Sequence, residues 1–224
     1  MGVAIMATGT DASPYANNYI PPVSGPKIWG NLESSRLSSA RRLRNWGDLA
    51  GSLSMTGNTI LASVGVSSVA GVDSRLIFGT LTADAYTVIA LMNVDANGPL
   101  IRHRNIRLSA NSSKHLTRVM DAGTTESTIK LPASGAFMVY LSGDTAGHEF
   151  GLVASTGVQK VTSSALNTGT TSTFLGGSNM VGTFNPWAAY SCAFYDRKLT
   201  DAELLLIHER MVKRAVALGV TVNV

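Results

Sequence analysis

An all-β fold, a two-sheet antiparallel jelly-roll sandwich with one C-terminal helix, is what this sequence predicts. Three observations carry that expectation. Short apolar segments alternate with turn residues from Thr59 to Tyr195, as the strands of a sandwich do. Thr200-Asp-Ala-Glu203 is a capping box, and it opens a clear helical stripe of Leu204, Ile207, Met211 and Val212, with Ala215 beyond. No unit repeats at a period of about 20–50 residues, which removes propellers and solenoids. A chain of 224 residues, 45% hydrophobic and 14% charged, can bury such a core within one domain.

Residues 1–27 read as an extended arm and 28–224 as the jelly-roll domain. Asp11-Ala-Ser-Pro14, Asn17-Asn18, Pro21-Pro22 and Pro26 interrupt every periodicity in the arm, while Tyr15, Tyr19 and Ile20 give it apolar groups to dock with. Residues 31–44 are expected to form a short helix carrying Arg36, Arg41, Arg42 and Arg44, weakened by Ser34, Ser35, Ser38 and Ser39. Strands are expected at 59–66, 75–81, 85–94, 100–109, 115–120, 127–132, 137–142, 148–154, 158–165, 172–176 and 188–196. Ala96-Asn97-Gly98-Pro99, Asp121-Ala-Gly123, Ser142-Gly-Asp144 and Asn167-Thr-Gly169 have the turn chemistry to join them. In the last strand Tyr190, Cys192 and Phe194 alternate with Ser191, Ala193 and Tyr195, so each set is expected on its own face. The helix is expected from Thr200 to about Leu218, docked on the sandwich by its apolar stripe.

The segment Ala188-Ala-Tyr-Ser-Cys-Ala-Phe-Tyr-Asp-Arg-Lys-Leu199, running through Thr200-Asp-Ala-Glu203 into one helix, resembles the closing segment of concanavalin A-like (laminin G-like) jelly-roll domains. Upstream, Ser172-Thr-Phe-Leu-Gly-Gly-Ser178 is similar to the short strand before it in that family. Ala85-Tyr-Thr-Val-Ile-Ala-Leu-Met-Asn-Val-Asp95 is similar to its early core strand, and Phe137-Met-Val-Tyr-Leu141 to a central one. Asn45-Trp-Gly-Asp-Leu-Ala-Gly51 resembles a stretch of phage and prophage lectin-like proteins. The likeness covers roughly residues 45–215. It implies a module that binds glycans, adheres or builds structure, and fold alone does not choose among these.

Net charge is +4 with a pI near 9.4. The cations gather at Arg36/Arg41/Arg42/Arg44, Arg102/Arg104/Arg107 and Arg210/Lys213/Arg214, patches that suit anionic sugars or nucleic acid. No nucleic-acid motif accompanies them, so nucleic acid is not an expected partner. No apolar run approaches the roughly 18 residues of a membrane span. Met1-Gly-Val-Ala-Ile-Met6 lacks a basic n-region, and Cys192, the single cysteine, falls in a core strand. Synthesis in a host cytoplasm, with release as part of a virion, would reconcile these features with the lectin-like resemblance, and an intracellular function would do so equally well.

The related β-glucan-cleaving enzymes carry an E-x-D-x-x-E strand that sets nucleophile and acid on one face. Glu33, Glu126, Glu149, Glu203 and Glu209 all miss that pattern, and His103, His115, His148 and His208 lack metal-ligand spacing. The chain is therefore expected to be non-enzymatic. Asn93, Asp95 and Asn97 alternate into a turn and are the candidate calcium ligands, although an Asn97-Gly98 turn demands such residues on backbone grounds too. A glycan pocket is expected among Asn93, Asp95, Asn97, Asp144, His148 and Trp187. Trp187 would stack on a pyranose; like Trp29 and Trp46, it also suits a core position. The expected role is a phage virion protein, in a tail or on a capsid surface, that recognises a host-surface glycan or polysaccharide. It would contact other virion proteins through the arm, as a homo-oligomer. A purely structural assembly or decoration subunit and a cellular carbohydrate-binding module are the alternatives.

Overall fold

The computed structural model of the chain describes residues 20–95, 97–120, 123–165, 169, 172–177 and 184–223. Its strands are β1 (Pro26–Gly30), β2 (Ser54–Thr56), β3 (Thr59–Leu61), β4 (Val66–Ser68), β5 (Arg75–Gly79), β6 (Tyr86–Val94), β7 (Pro99–His103) and β8 (Ile106–Ala110). They continue as β9 (His115–Met120), β10 (Gly123–Lys130), β11 (Phe137–Asp144), β12 (Gly147–Ala154), β13 (Gly157–Ser163), β14 (Thr173–Gly176) and β15 (Trp187–Tyr195). The helices are α1 (Ser39–Arg42) and α2 (Asp201–Ala217). One antiparallel sheet runs β13-β12-β11-β6-β15-β4-β3, with β1 also paired to β15; the other runs β10-β9-β8-β7-β14-β5-β2.

Strands β6 and β11 are nearly continuous apolar runs because both of their faces are covered. Inward, Val88, Ala90 and Met92 meet Leu108, Leu116 and Leu175 of the facing sheet in the main core. Outward, Ile89, Leu91, Met138 and Tyr140 lie under Leu204, Ile207, Met211 and Ala215 of α2. The helix begins as its capping box dictates: Glu203 N donates to Thr200 Oγ1 at 3.3 Å, and Thr200 N to Glu203 Oε2 at 2.9 Å. Arg197 also holds this carboxyl, and with the cap it pulls the Glu203 pKa down to about 2. The helix ends in a Schellman turn, with Gly219 at φ +84°, Gly219 N donating to Val216 O and Val220 N to Ala215 O. The tail then pairs with the start of β11 through Ala136 N to Thr221 O and Asn223 N to Ala136 O. Among the described residues no helix is long and apolar enough to cross a membrane.

Several expected boundaries change. The 59–66 segment is a hairpin, β3 and β4, turned at Ser63-Val64-Gly65. The 100–109 segment likewise folds back into β7 and β8, with Arg104 at φ +53° and no glycine or proline to announce the turn. The 31–44 helix shrinks to α1, whose N-cap Ser38 makes no side-chain capping bond. The boundary drawn at residue 27 falls inside β1, which starts at Pro26 and pairs with Phe194 and Ala193 of β15. Of the arm, Val23 is buried and its carbonyl accepts from Tyr195 Oη at 3.0 Å; residues 1–19, with Tyr15 and Tyr19, lie outside the described residues. The facing of β15 also differs. A bulge at Tyr190, between the pairs Ala189↔Met92 and Ser191↔Leu91, shifts the alternation. Trp187, Ala189, Cys192 and Phe194 all point into the main core, and Tyr190 points away from Cys192 and Phe194.

A buried ion pair joins the two ends of the domain. Glu33 meets Arg214 of α2 at 2.6 Å, with both side chains almost wholly out of water. The contact is oblique: it is a Coulombic pair, not an aligned hydrogen bond, and Arg214 Nε has no hydrogen-bond partner among the described residues. Arg42 Nε donates to the Glu33 carbonyl at 2.8 Å, and Arg42 Nη2 reaches the carbonyls of Ala62 and Gly65. Arg214→Leu alone is expected to cost about 3–5 kcal/mol by leaving a buried carboxylate without its cation, while Glu33→Leu/Arg214→Leu recovers most of that loss. Urea unfolding of the two variants checks this; equal losses would contradict the coupling.

The buried histidines set the response to acid. His103 lies between the sheets against Tyr86, its Nδ1 2.7 Å from Thr173 Oγ1, and burial aided by the Arg104 charge brings its pKa down to about 3. Burial also lowers His148 and His208. The unfolded chain takes up protons on these rings near pH 6.5 and the folded chain does not. Their stabilisation is therefore complete above about pH 6.5 and lost progressively as pH falls toward 3. The melting temperature should fall continuously from pH 7 to pH 4; a flat profile would contradict neutral buried rings.

Candidate functional site

The six residues expected to form a glycan pocket separate into two groups. Gly143 pairs with Tyr86 at one end of β6, and Trp187 pairs with Val94 at the other. Those ends lie eight residues apart, about 26 Å at a strand's rise of about 3.3 Å per residue. Asp144 and His148 therefore belong to one end of the sandwich, and Asn93, Asp95, Asn97 and Trp187 to the other. Asp144 closes its own turn by accepting from Ala146 N at 2.8 Å and pairs with Lys198 at 3.3 Å. The backbone bond is the first cause of its lowered pKa. His148 is only 3% exposed; Nδ1 donates to the Ala165 carbonyl at 2.7 Å, and Nε2 faces Arg118 Nη1 at 3.1 Å. It is a satisfied interior histidine, not a ligand donor.

Trp187 is a core anchor. Its side chain is 3% exposed, its Nε1 donates to the Ser74 carbonyl at 3.1 Å, and a Cβ on Gly176 would sit 2.2 Å from that nitrogen. The stacking role expected for it is thus replaced by a packing role. Asn97 has the positive φ of +60° that its turn requires, with Gly98 N donating to the Asp95 carbonyl at 3.1 Å. Lys114 donates to the Val94 carbonyl, and burial lowers the pKa of its ammonium against the opposing pull of the Asp95 charge. The turn conformation accounts for Asn97 on backbone grounds. Among the described residues, no group of three or more His, Cys, Asp or Glu could hold a metal ion.

What the structure does assemble is a groove on the outer face of the first sheet, past the C-terminal end of α2. Asn93 and Ala188, paired across β6 and β15, share its floor with Tyr190. One wall is the Leu218–Thr221 tail and the other is the β3–β4 turn, with Ser63, Val64 and Ser67. The groove encloses about 500 Å³. Two hollows share its walls: one of about 460 Å³ reaches Ser34 and Arg36, and one of about 200 Å³ reaches Asp95 and Pro186. Tyr190 is half-buried, its phenol pKa raised by that burial, and the bulge turns it onto this face. Gly65 makes room beside it: a Cβ there would lie 2.3 Å from the Ala189 carbonyl and 3.0 Å from the Tyr190 ring. Of the expected site residues, Asn93 and Asp95 line this system with accessible side chains. Tyr190 was missed because simple alternation put it in the core.

No family model and no curated protein sequence matches the chain. Solved structures do match it. A mutant of Trypanosoma rangeli sialidase displaying trans-sialidase activity aligns with a TM-score of 0.57 at 13% identity, over 82% of this chain and 33% of that one. The receptor-binding domain of botulinum neurotoxin mosaic serotype C/D gives 0.56 at 8% identity, over 87% and 51%. The binding domain of botulinum neurotoxin DC, solved in complex with SialylT, gives 0.50 at 9% identity, over 71% and 46%. The chain shares a two-sheet β-sandwich fold with these structures. It spans about a third of the sialidase and about half of each toxin domain, so the likeness concerns the fold.

Within this sandwich, Trp187→Ala is expected to cost roughly 3–5 kcal/mol, the range for deleting a buried tryptophan. Its melting temperature should drop sharply; an unchanged value would return the ring to the surface and reopen a stacking role.

Proposed function

We propose that this protein is a non-enzymatic carbohydrate-binding module whose site is the Tyr190 groove. The observation that carries this reading is the lining: an aromatic floor beside an amide and several hydroxyls. A half-exposed tyrosine offers an apolar face to a pyranose, and Asn93, Ser67 and Thr221 offer donors and acceptors to its hydroxyls. Hydrolysis by paired carboxylates needs two of them about 5–9.5 Å apart. Among the described lining residues of the groove and its two hollows the one carboxylate is Asp95, at the far end. The toxin binding domain solved with SialylT on a similar sandwich supports recognition as the use of this fold.

A phage virion is our proposed setting, on the ground of the Asn45–Gly51 resemblance, with the N-terminal arm as the contact to other virion subunits or to further copies of this chain. We propose that binding needs no calcium, because the groove's own lining supplies an amide and hydroxyls. A glycan array probed with the intact protein, in EDTA, tests the reading. Tyr190→Ala should weaken the strongest interaction at least about tenfold, since a stacking ring contributes about 1–3 kcal/mol. Asn93→Ala should weaken it by about tenfold through one lost hydrogen bond. An array without signal, or variants that bind like the parent, would reject the groove.

A further inference from the structure

Between Ser34 and Ser52 the chain carries four arginines and a single carboxylate, Asp48. Arg42 turns inward to the carbonyls of Glu33, Ala62 and Gly65, and Asp48 lies 4.0 Å from Lys27. Arg36, Arg41 and Arg44 remain exposed on one short stretch. Among the described residues neither Arg36 nor Arg44 has a carboxylate partner. Arg41 and Arg44 border a hollow of about 600 Å³ with Trp46, Ser38 and Ser52. The Arg44 guanidinium lies over the indole of Trp46, 4.3 Å from its centroid. Stacking of this kind holds the planar fork in one orientation, so less freedom is lost when it engages a planar anion.

The platform under the stack is rigid. Asn45 is buried, and its Oδ1 accepts from Trp29 N and Gly47 N, each at 2.8 Å. Its Nδ2 donates to the carbonyls of Lys27 and Leu49, and Trp46 N donates to the Trp29 carbonyl at 2.9 Å. The residue before the tryptophan thus ties the loop to β1 from both sides. Gly47 is required there, because a Cβ would lie 2.5 Å from the Pro26 carbonyl.

We propose that this hollow is a second site, for the carboxylate groups of an acidic polysaccharide. It is separate from the Tyr190 groove and does not depend on that reading. Arg44, with Arg41 beside it, takes a sugar carboxylate through parallel N–H donors, and the hydroxyls of Ser38 and Ser52 meet the ring hydroxyls. Nucleic acid fits less well. Arg44 covers one face of the indole, and the half-buried ring also packs against the core beneath α2, which limits the surface it offers a base to stack on.

The test uses the intact protein in low-salt buffer with EDTA and three probes: alginate oligomers (a polyuronate), dextran of equal length and a thymidine oligonucleotide. Alginate should bind at least tenfold more tightly than dextran and weaken as salt is added. Arg41→Ala/Arg44→Ala should lose at least tenfold of that affinity with an unchanged melting temperature. Arg44→Lys should lose most of it too, because the charge survives and the fork does not. Tyr190→Ala should leave alginate binding as it was. The proposal is overturned if alginate does not bind, or if the arginine variants bind it like the parent. It is also overturned if the oligonucleotide binds more tightly with the same dependence on Arg41 and Arg44, which makes the surface one for nucleic acid. Loss of alginate binding in Tyr190→Ala but not in the arginine variants would move the anion to the groove, ending this proposal and sparing that one.

Discussion

Glu33 puts one carboxylate in the interior, and three distant parts of the chain are arranged around it. Arg214 approaches it from the last turns of α2, Arg42 takes its carbonyl, and the same Arg42 holds the carbonyls on both sides of the β3–β4 turn. Backbone bonds reinforce the junction, with Ser35 N donating to the Ser63 carbonyl at 2.8 Å. A buried ion pair adds little net stability over apolar residues of the same volume. Its effect here is positional, since charges that must meet leave one placement for the segments that carry them. The β3–β4 turn is one wall of the Tyr190 groove and the tail that leaves α2 is the other, so the shape of the candidate site depends on a contact that is not in it.

The strongest elements were legible because several local rules agreed on them. Thr200 and Glu203 supply both halves of a cap, and the apolar stripe that follows has one period. The β6 and β11 segments read as strands between turn residues and resembled core strands of the jelly-roll family. Legibility failed where backbone geometry was unusual for the residues present. Arg104 takes a left-handed conformation that an arginine does not advertise, and two strands therefore looked like one. The Pro26-Lys-Ile-Trp-Gly30 strand was hidden by its proline, which is tolerated because it stands at the strand's first position.

The site was less legible than the fold, for a geometric reason. Asn and Asp at the Asn93–Asn97 turn satisfy a backbone requirement and a ligand requirement alike, and residue type cannot separate the two. Asp144 and His148 were expected beside that turn because strand order could have brought them to the same edge of the sandwich. Which end a strand presents is set by pairing order, and β11 runs antiparallel to β6, so its last residues meet the first residues of β6. Tryptophan gave no help in placing the site. The burial of Trp187 depends on the missing side chain of Gly176, a partner eleven positions earlier that no periodicity connects to it.

The bulge at Tyr190 divides the work of β15. Before it, Trp187 and Ala189 face the main core, and after it Cys192 and Phe194 do, which an unbroken strand cannot achieve because an odd step separates the two sets. The extra residue acts as a phase shifter, and its backbone is needed for that whatever side chain it bears. Insertion or deletion at this position would invert one half of the strand and expose its core residues. Exchange of the side chain alone leaves the phase intact. The chemistry of the groove floor can thus be changed by substitution at a position where the length of the chain cannot be.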